Sequence, residues 1–365
     1  GVGKTHLLQL AYIVELIKVN LLNKICEPPG APGFENRVRD LVLKEIDGFA
    51  DKIEIDNMGN IIALKKGEDS SKSVMIGAHM DEIGFIVTHI NEKGFLKFHP
   101  LGGFDPKTLT AQRVVVHGKK DVIGVMGSKP IHVMTNEEKN RVPKINDYYI
   151  DLGLKKSEVK KIISVGDSVT RERGLIEMGD CLNCKSLDNR VSVFILIESL
   201  KKLKSPAFDT YAVFTVQEEV GIRGAQVATQ KIKPDFGLGL DTTIAYDVPG
   251  AGEHEKITSL GNGVAIKIMD ASTICDNRMI QFMRKTADSH KILWQNEILT
   301  AGGTDTANIQ RMTPGGSIAG AFSIPTRHIH QVIEMVHKKD VKNCIDLLRY
   351  CLEEMNQHKW EHEIN

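Results

Sequence analysis

The sequence predicts an α/β fold built on a mixed sheet and interrupted by a small β-rich, barrel-like insert. Three patterns support this. The chain starts with helical periodicity and then turns to apolar runs of strand length. Its middle third is cut by Gly and Pro into short alternating pieces, and beyond Asp180 strands and helices take turns in longer units. At roughly one domain per 150 residues, 365 residues allow two domains.

In order along the chain, Leu7 to Ile25 repeats its apolar residues every three to four positions and is broken by Glu15 and Lys18, so it reads as an amphipathic helix and not a bilayer span. Residues 1–20 are expected to be an atypical helical extension ahead of the α/β domain. Pro28 to Gly33 stops the helix, and Glu35 to Phe49 starts a second one. Ile53, Ile55, Ile61 to Leu64 and Val74 to Ala78 then follow strand periodicity. Strands are expected in the middle at Phe85 to Val87, Arg113 to Val116, Val122 to Met126 and Ile162 to Val165, around one charged helical insert near 136–160. The last third predicts helix Val191 to Leu203, strand Tyr211 to Gln217, helix Gly224 to Gln230 and strand Phe236 to Leu240. Strand Val264 to Met269, helix Cys275 to His290, strand Ile318 to Phe322 and helix Val341 to Met355 complete it. The expected division is an α/β domain of 21–78 and 176–365, with a β-rich domain of 79–175 inserted.

Composition narrows the function classes. Forty-seven basic and forty-seven acidic side chains leave no net charge to recruit nucleic acid or an anionic membrane. Six cysteines are too sparse for a disulfide scaffold, and no secretory signal opens the chain, so a cytoplasmic location is expected.

Three local motifs suggest ligands without establishing them. Gly1-Val2-Gly3-Lys4-Thr5 resembles the tail of a phosphate-binding loop but lacks its first glycine and the strand that would hold it. Cys181 and Cys184 have the spacing of half a zinc site, with no second pair following. Gly302-Gly303-Thr304-Asp305 suits either a phosphate cradle or a turn at the edge of a site.

The ends of the buried strands are more informative. Val74 to Ala78 runs into His79 and Asp81, Tyr211 to Gln217 into Glu218-Glu219, and Phe236 to Leu240 into Asp241. Ligands of open α/β sheets bind beyond the carboxyl ends of strands, so His, Glu and Asp converge on one edge. Burying these carboxylates together is costly unless divalent cations compensate them. His79 and Asp81 share one side of an extended segment, which suits an imidazole ligand oriented by a carboxylate. In the vicinal pair Glu218-Glu219 one carboxylate can hold metal while its neighbour takes a proton from water.

Five ordered segments, Gly77 to Gly84, Ser186 to Arg190, Val216 to Ala225, Gly302 to Asp305 and Ile324 to His330, resemble the tetrahedral (TET) metallo-aminopeptidases. These are also called glutamyl or deblocking aminopeptidases, and members often carry the names cellulase or endoglucanase. The resemblance runs from about Leu22 to Leu352 and implies a dinuclear metallopeptidase domain. It implies two divalent ions bridged by Asp188, one also held by His79 and Asp241, the other by Glu219 and His330. Glu218 would be the general base, with Asp81 beside His79 as the second catalytic residue. His328 competes locally with His330, and only the Ile-His ending selects the latter. The resemblance further implies a cis peptide at Asp188-Asn189, dimerisation through the β-rich insert, and dimers assembled into a hollow tetrahedral dodecamer.

The expected activity is removal of N-terminal residues from peptides by water activated between ions about 3.5 to 4 Å apart. Zinc, cobalt and manganese all suit such ligands, zinc foremost. The alternatives are a glycosidase acting on β-glucans, which wants carboxyls about 5 to 9 Å apart, and a noncatalytic metal-binding assembly protein. Gly252 to His254 and Arg311 to Ser317 are expected as walls of the substrate pocket.

Overall fold

A computed structural model describes residues 17–362. Helices α1 (Val19–Cys26) and α2 (Asn36–Ile46) lead into β1 (Lys52–Ile55), β2 (Ile61–Lys65) and β3 (Asp69–His79). A middle segment contains β4 (Gly84–Ile90), β5 (Leu96–Leu101), β6 (Arg113–His117), β7 (Asp121–Gly127), α3 (Asn136–Asn140), β8 (Tyr149–Asp151), α4 (Lys156–Ile162) and β9 (Ser168–Arg171). The chain continues through β10 (Ile176–Met178), β11 (Cys181–Cys184), α5 (Leu187–Lys202), β12 (Phe208–Thr215), α6 (Arg223–Ile232), β13 (Phe236–Ile244) and β14 (Val264–Met269). It closes with α7 (Asn277–Ser289), β15 (Trp294–Ile298), α8 (Thr306–Arg311), β16 (Ile318–Arg327), β17 (Glu334–His337) and α9 (Lys338–Glu354). The predicted extension and the Gly1 to Thr5 motif lie outside the described residues, apart from the last few residues before α1.

The fold is the expected α/β class. Eleven strands form one mixed sheet in the order β1-β2-β12-β3-β13-β16-β17-β11-β10, with β14 joined to β16 and β15 to β14. Its centre, β12-β3-β13-β16, is parallel. Successive residues of these strands face opposite layers. Ile76 and Ala212 belong to a large core under α1, α2, α5, α7 and α9, while Met75 and Val213 meet Ala228 of α6 and Ile309 of α8. Helix α5 is buried from Leu187 to Leu200, which explains why its apolar residues show so little one-sided pattern.

Strands β4-β5-β8-β7-β6-β9 close into a barrel around Phe85, Val87, Val114, Val116, Ile150 and Val169. Closure removes the unpaired edges that six short strands would otherwise expose. The helical insert near 136–160 is instead two short helices with β8 between them, because Pro143 cannot continue a helix. The strand expected over Ile162 to Val165 is also absent. Val159 and Ile163, four residues apart, reach the barrel core from α4 and the turn after it, so the paired isoleucines follow a helical period. No helix among the described residues is long and apolar enough to cross a membrane.

Candidate metal centre

The site lies where the sheet opens. Pairing between β3 and β13 stops at Gly77 opposite Gly239, so His79 and Asp241, two residues further on each strand, flank a gap. Strand β12 stays paired to β3 through Thr215 opposite His79 and then ends. Asp241 therefore lies inside a strand, not at its end as expected, since β13 continues along β16 to Ile244. Gln217 turns the chain with φ 53°, and the amides of Gly221 and Ile222 both donate to the carbonyl of Glu218. This tight turn brings the vicinal glutamates to one site.

Asp188 is central to the cluster. Its Oδ1 lies 3.4 Å from His79 Nε2 and its Oδ2 3.2 Å from His330 Nε2. His79 Nε2 is also 3.6 Å from Asp241 Oδ1 and 3.8 Å from Glu218 Oε2, and His330 Nε2 is 3.5 Å from Glu219 Oε2. Two ligand sets, His79-Asp188-Asp241 and Asp188-Glu219-His330, thus share one carboxylate, each with its atoms within 4.8 Å of one another. His79, Glu218 and Glu219 form a third group at the same limit. His330, and not His328, enters these groups, and neither Cys181 nor Cys184 does. The peptide between Asp188 and Asn189 is cis.

Asp81 stands behind His79, but the shorter contact comes from its backbone. His79 Nδ1 is 3.0 Å from the Asp81 backbone carbonyl, which accepts the ring proton and leaves Nε2 free to face the cluster. The Asp81 carboxylate stands 3.5 Å from the same Nδ1 through Oδ1, while its hydrogen bonds are accepted from the backbone N–H groups of Glu218 and Glu219 at 3.0 and 3.1 Å. Side-chain alternation along a strand cannot reveal this contact, because both donors belong to a remote turn. Glu334 likewise joins the site with no motif to announce it. From the middle of an unremarkable acidic and apolar segment it reaches the same site fully buried, its carboxylate pushed upward by burial and opposed chiefly by Arg171.

Without cations the cluster is electrostatically frustrated. Burial drives Glu218 well above the usual carboxylate range and, together with Asp188, pushes Glu219 up to about 8. Burial also raises Asp241 and pushes Asp305 up to about 7. For Asp188 burial is outweighed by His330 and His79, which hold it well below its ordinary value. Burial alone would depress both histidines, yet Asp241 and Asp188 raise His79 strongly, and Asp188 with Glu219 raises His330 to about 10. Asp188 Oδ1 and Glu219 Oε1 are buried with no hydrogen-bond partner. Orphaned carboxylate oxygens among imidazoles form a donor set suited to divalent cations.

The cluster opens into a cavity of about 490 Å³. Its far wall is built from Thr242 to Ile244, Lys267, Asp270, Leu299 and Ala301 to Thr304, so the walls expected at Gly252 to His254 and Arg311 to Ser317 lie elsewhere. Lys267 is buried and held charged by Asp270 at 2.8 Å and Glu297 at 3.2 Å.

Several known proteins share this architecture. A lysyl aminopeptidase of Pyrococcus furiosus is 33% identical over 93% of this chain and 98% of its own length. An aminopeptidase structure from Desulfurococcus kamchatkensis superposes with a TM-score of 0.88 at 38% identity, covering 92% of this chain and 94% of that one. A TET peptidase of Pyrococcus horikoshii, described as able to assemble into a tetrahedron or a large octahedral shell, gives 0.83 at 30% identity over 92% and 99%. With residues 59–347 also matching the family model for M42 glutamyl aminopeptidases, the chain belongs to that family.

Proposed function

We propose that this chain is a metal-dependent aminopeptidase acting on peptides with a free N-terminus. The observation that carries the reading is the pair of ligand sets sharing Asp188, with Glu218 beside them at the mouth of the cavity. One ion would be held by His79, Asp188 and Asp241, the other by Asp188, Glu219 and His330, zinc foremost and cobalt or manganese on the same donors. When bound, such a pair supplies Lewis acidity to polarise the scissile carbonyl and to acidify water.

The chain's own groups do the rest. Glu218 takes the proton of the attacking water and hands it to the departing amide nitrogen, a role open to it because its carboxylate stands beside the ligand sets, with Oε2 3.8 Å from His79 Nε2. Asp81 holds the backbone of Glu218 and Glu219, and its carbonyl fixes the His79 tautomer. The cavity wall receives the side chain of the residue to be removed.

The reading extends to assembly. A homo-oligomer, with residues 79–175 as the dimerisation domain, is supported by the relative from Pyrococcus horikoshii and by the exposed Ile123, Val125, Ile131, Val133 and Val142 on this barrel. Whether the assembly is a dodecamer is read from its mass by light scattering. Six free cysteines fit a reducing cytoplasm.

The test is a panel of aminoacyl anilides assayed after metal stripping and after adding back zinc, cobalt or manganese. Cleavage that vanishes on stripping and returns with metal is expected. Sugar release from β-glucans that resists a chelator, with no anilide cleaved, would overturn the reading.

A further inference from the structure

His330 has a left-handed backbone, φ 63°, which a residue with a side chain adopts only where its surroundings impose it. Both polar groups of its backbone are held. Its N–H donates to Glu334 Oε1 at 3.0 Å, and its carbonyl accepts from Arg171 Nη1 at 3.1 Å. The other oxygen of the same carboxylate, Glu334 Oε2, accepts the backbone N–H of Asp188 at 2.9 Å. One buried side chain therefore ties together the backbones of two ligand residues remote in sequence. Arg171 closes the arrangement from the last barrel strand, with Nη2 donating to the Lys185 carbonyl at 2.8 Å, three residues before Asp188.

We infer that Glu334 and Arg171 are positioning residues that hold His330 and Asp188 at the separation a cation requires, so that the barrel domain contributes directly to the metal centre. The inference rests on the metallopeptidase reading and adds two residues outside the ligand set. The physical reason is geometric. Asp188 and Glu219 repel as anions, and His330 stands on a turn outside the sheet, so neither the β ladder nor the cluster fixes its distance from Asp188. A carboxylate offers two acceptors in one rigid plane and suits two N–H donors. An amide in its place would turn an NH2 group toward one of them. Partners standing behind metal ligands typically change metal affinity about 10–100-fold when altered.

The experiment uses the full chain, metal-stripped, as wild type, Glu334→Gln and Arg171→Lys. Each is titrated with zinc by calorimetry, and the thermal midpoint of each metal-free form is recorded separately. Wild type should take two zinc ions per chain. Glu334→Gln should lose about 10–100-fold in affinity for the ion of the Asp188-Glu219-His330 set, two of whose ligands Glu334 clamps, and less for the other, which shares only Asp188, with activity returning at high zinc. Arg171→Lys should weaken the same ion by less, and it decides the matter if Glu334→Gln fails to fold. Variants that melt lower without metal yet bind both ions as wild type does would reduce the clamp to ordinary structure and overturn the inference. Wild type that takes up no zinc would remove the metallopeptidase reading itself.

Discussion

Asp81 Oδ1 lies 3.0 Å from the backbone nitrogen of Glu218, so the carboxylate that follows the strand-end histidine holds the proposed general base by its main chain. Its other oxygen holds Glu219 in the same way. Asp81→Asn keeps one acceptor and sets an NH2 group against the second amide. Since both glutamates hang on this link, kcat should fall about 10–100-fold with KM little changed. Steady-state kinetics at saturating metal check it, and an unchanged kcat would show that the turn holds its shape unaided.

Glu218→Gln removes the proton acceptor while preserving shape. The variant should bind both ions and lose about 10²–10⁴-fold in turnover. Metal content by elemental analysis, measured beside turnover, separates the two effects. Near-normal turnover would remove Glu218 from the mechanism.

Metal should stabilise the fold. Asp188 Oδ1 and Glu219 Oε1 have no hydrogen-bond partner, and Glu219 is pushed up to about 8 by burial and Asp188. A cation at about 100 times its dissociation constant adds about 2.7 kcal/mol to the folded state. The thermal midpoint should rise with added zinc and return to the stripped value with a chelator. A midpoint indifferent to both would count against metal binding at this cluster.

Arg37 on α2 and Asp121 on β7 join the α/β domain to the barrel through two hydrogen bonds of 2.6 and 2.8 Å. The Arg37 guanidinium, and to a lesser degree His117, lower Asp121 from 3.8 to about 2. A depressed folded pKa contributes stability that is present above the unfolded value and is lost as pH falls through the folded one. The wild-type advantage over Arg37→Ala should therefore be full above about pH 4 and shrink toward pH 2. Asp121 is partly exposed, so the effect is modest and salt-sensitive. Thermal unfolding of both forms across this range tests it, and a constant difference would contradict it.

Much of the site is legible because it sits on regular elements. Buried apolar runs mark β3, β12 and β13, and parallel strands put His79, the Glu218-Glu219 turn and Asp241 at one edge whatever the loops do. Asp188 and His330 are legible only through family resemblance, since a helix start and a loop histidine carry no periodic signal. The barrel is only partly legible because its strands are short and the helical spacing of Val159 and Ile163 hides behind adjacent isoleucines.

The α/β class, the strand order of chemistry and the ligand types follow from periodicity and residue identity, which are local properties of the chain. Long-range contacts settle the remainder. The Asp81 carboxylate accepts from the glutamate amides as well as standing 3.5 Å from the His79 ring, Leu299 and Ala301 to Thr304 wall the cavity, and Glu334 ties Asp188 to His330. A side chain of a given type bonds whichever donor the fold brings within about 3 Å, and that choice exists only once distant segments have packed.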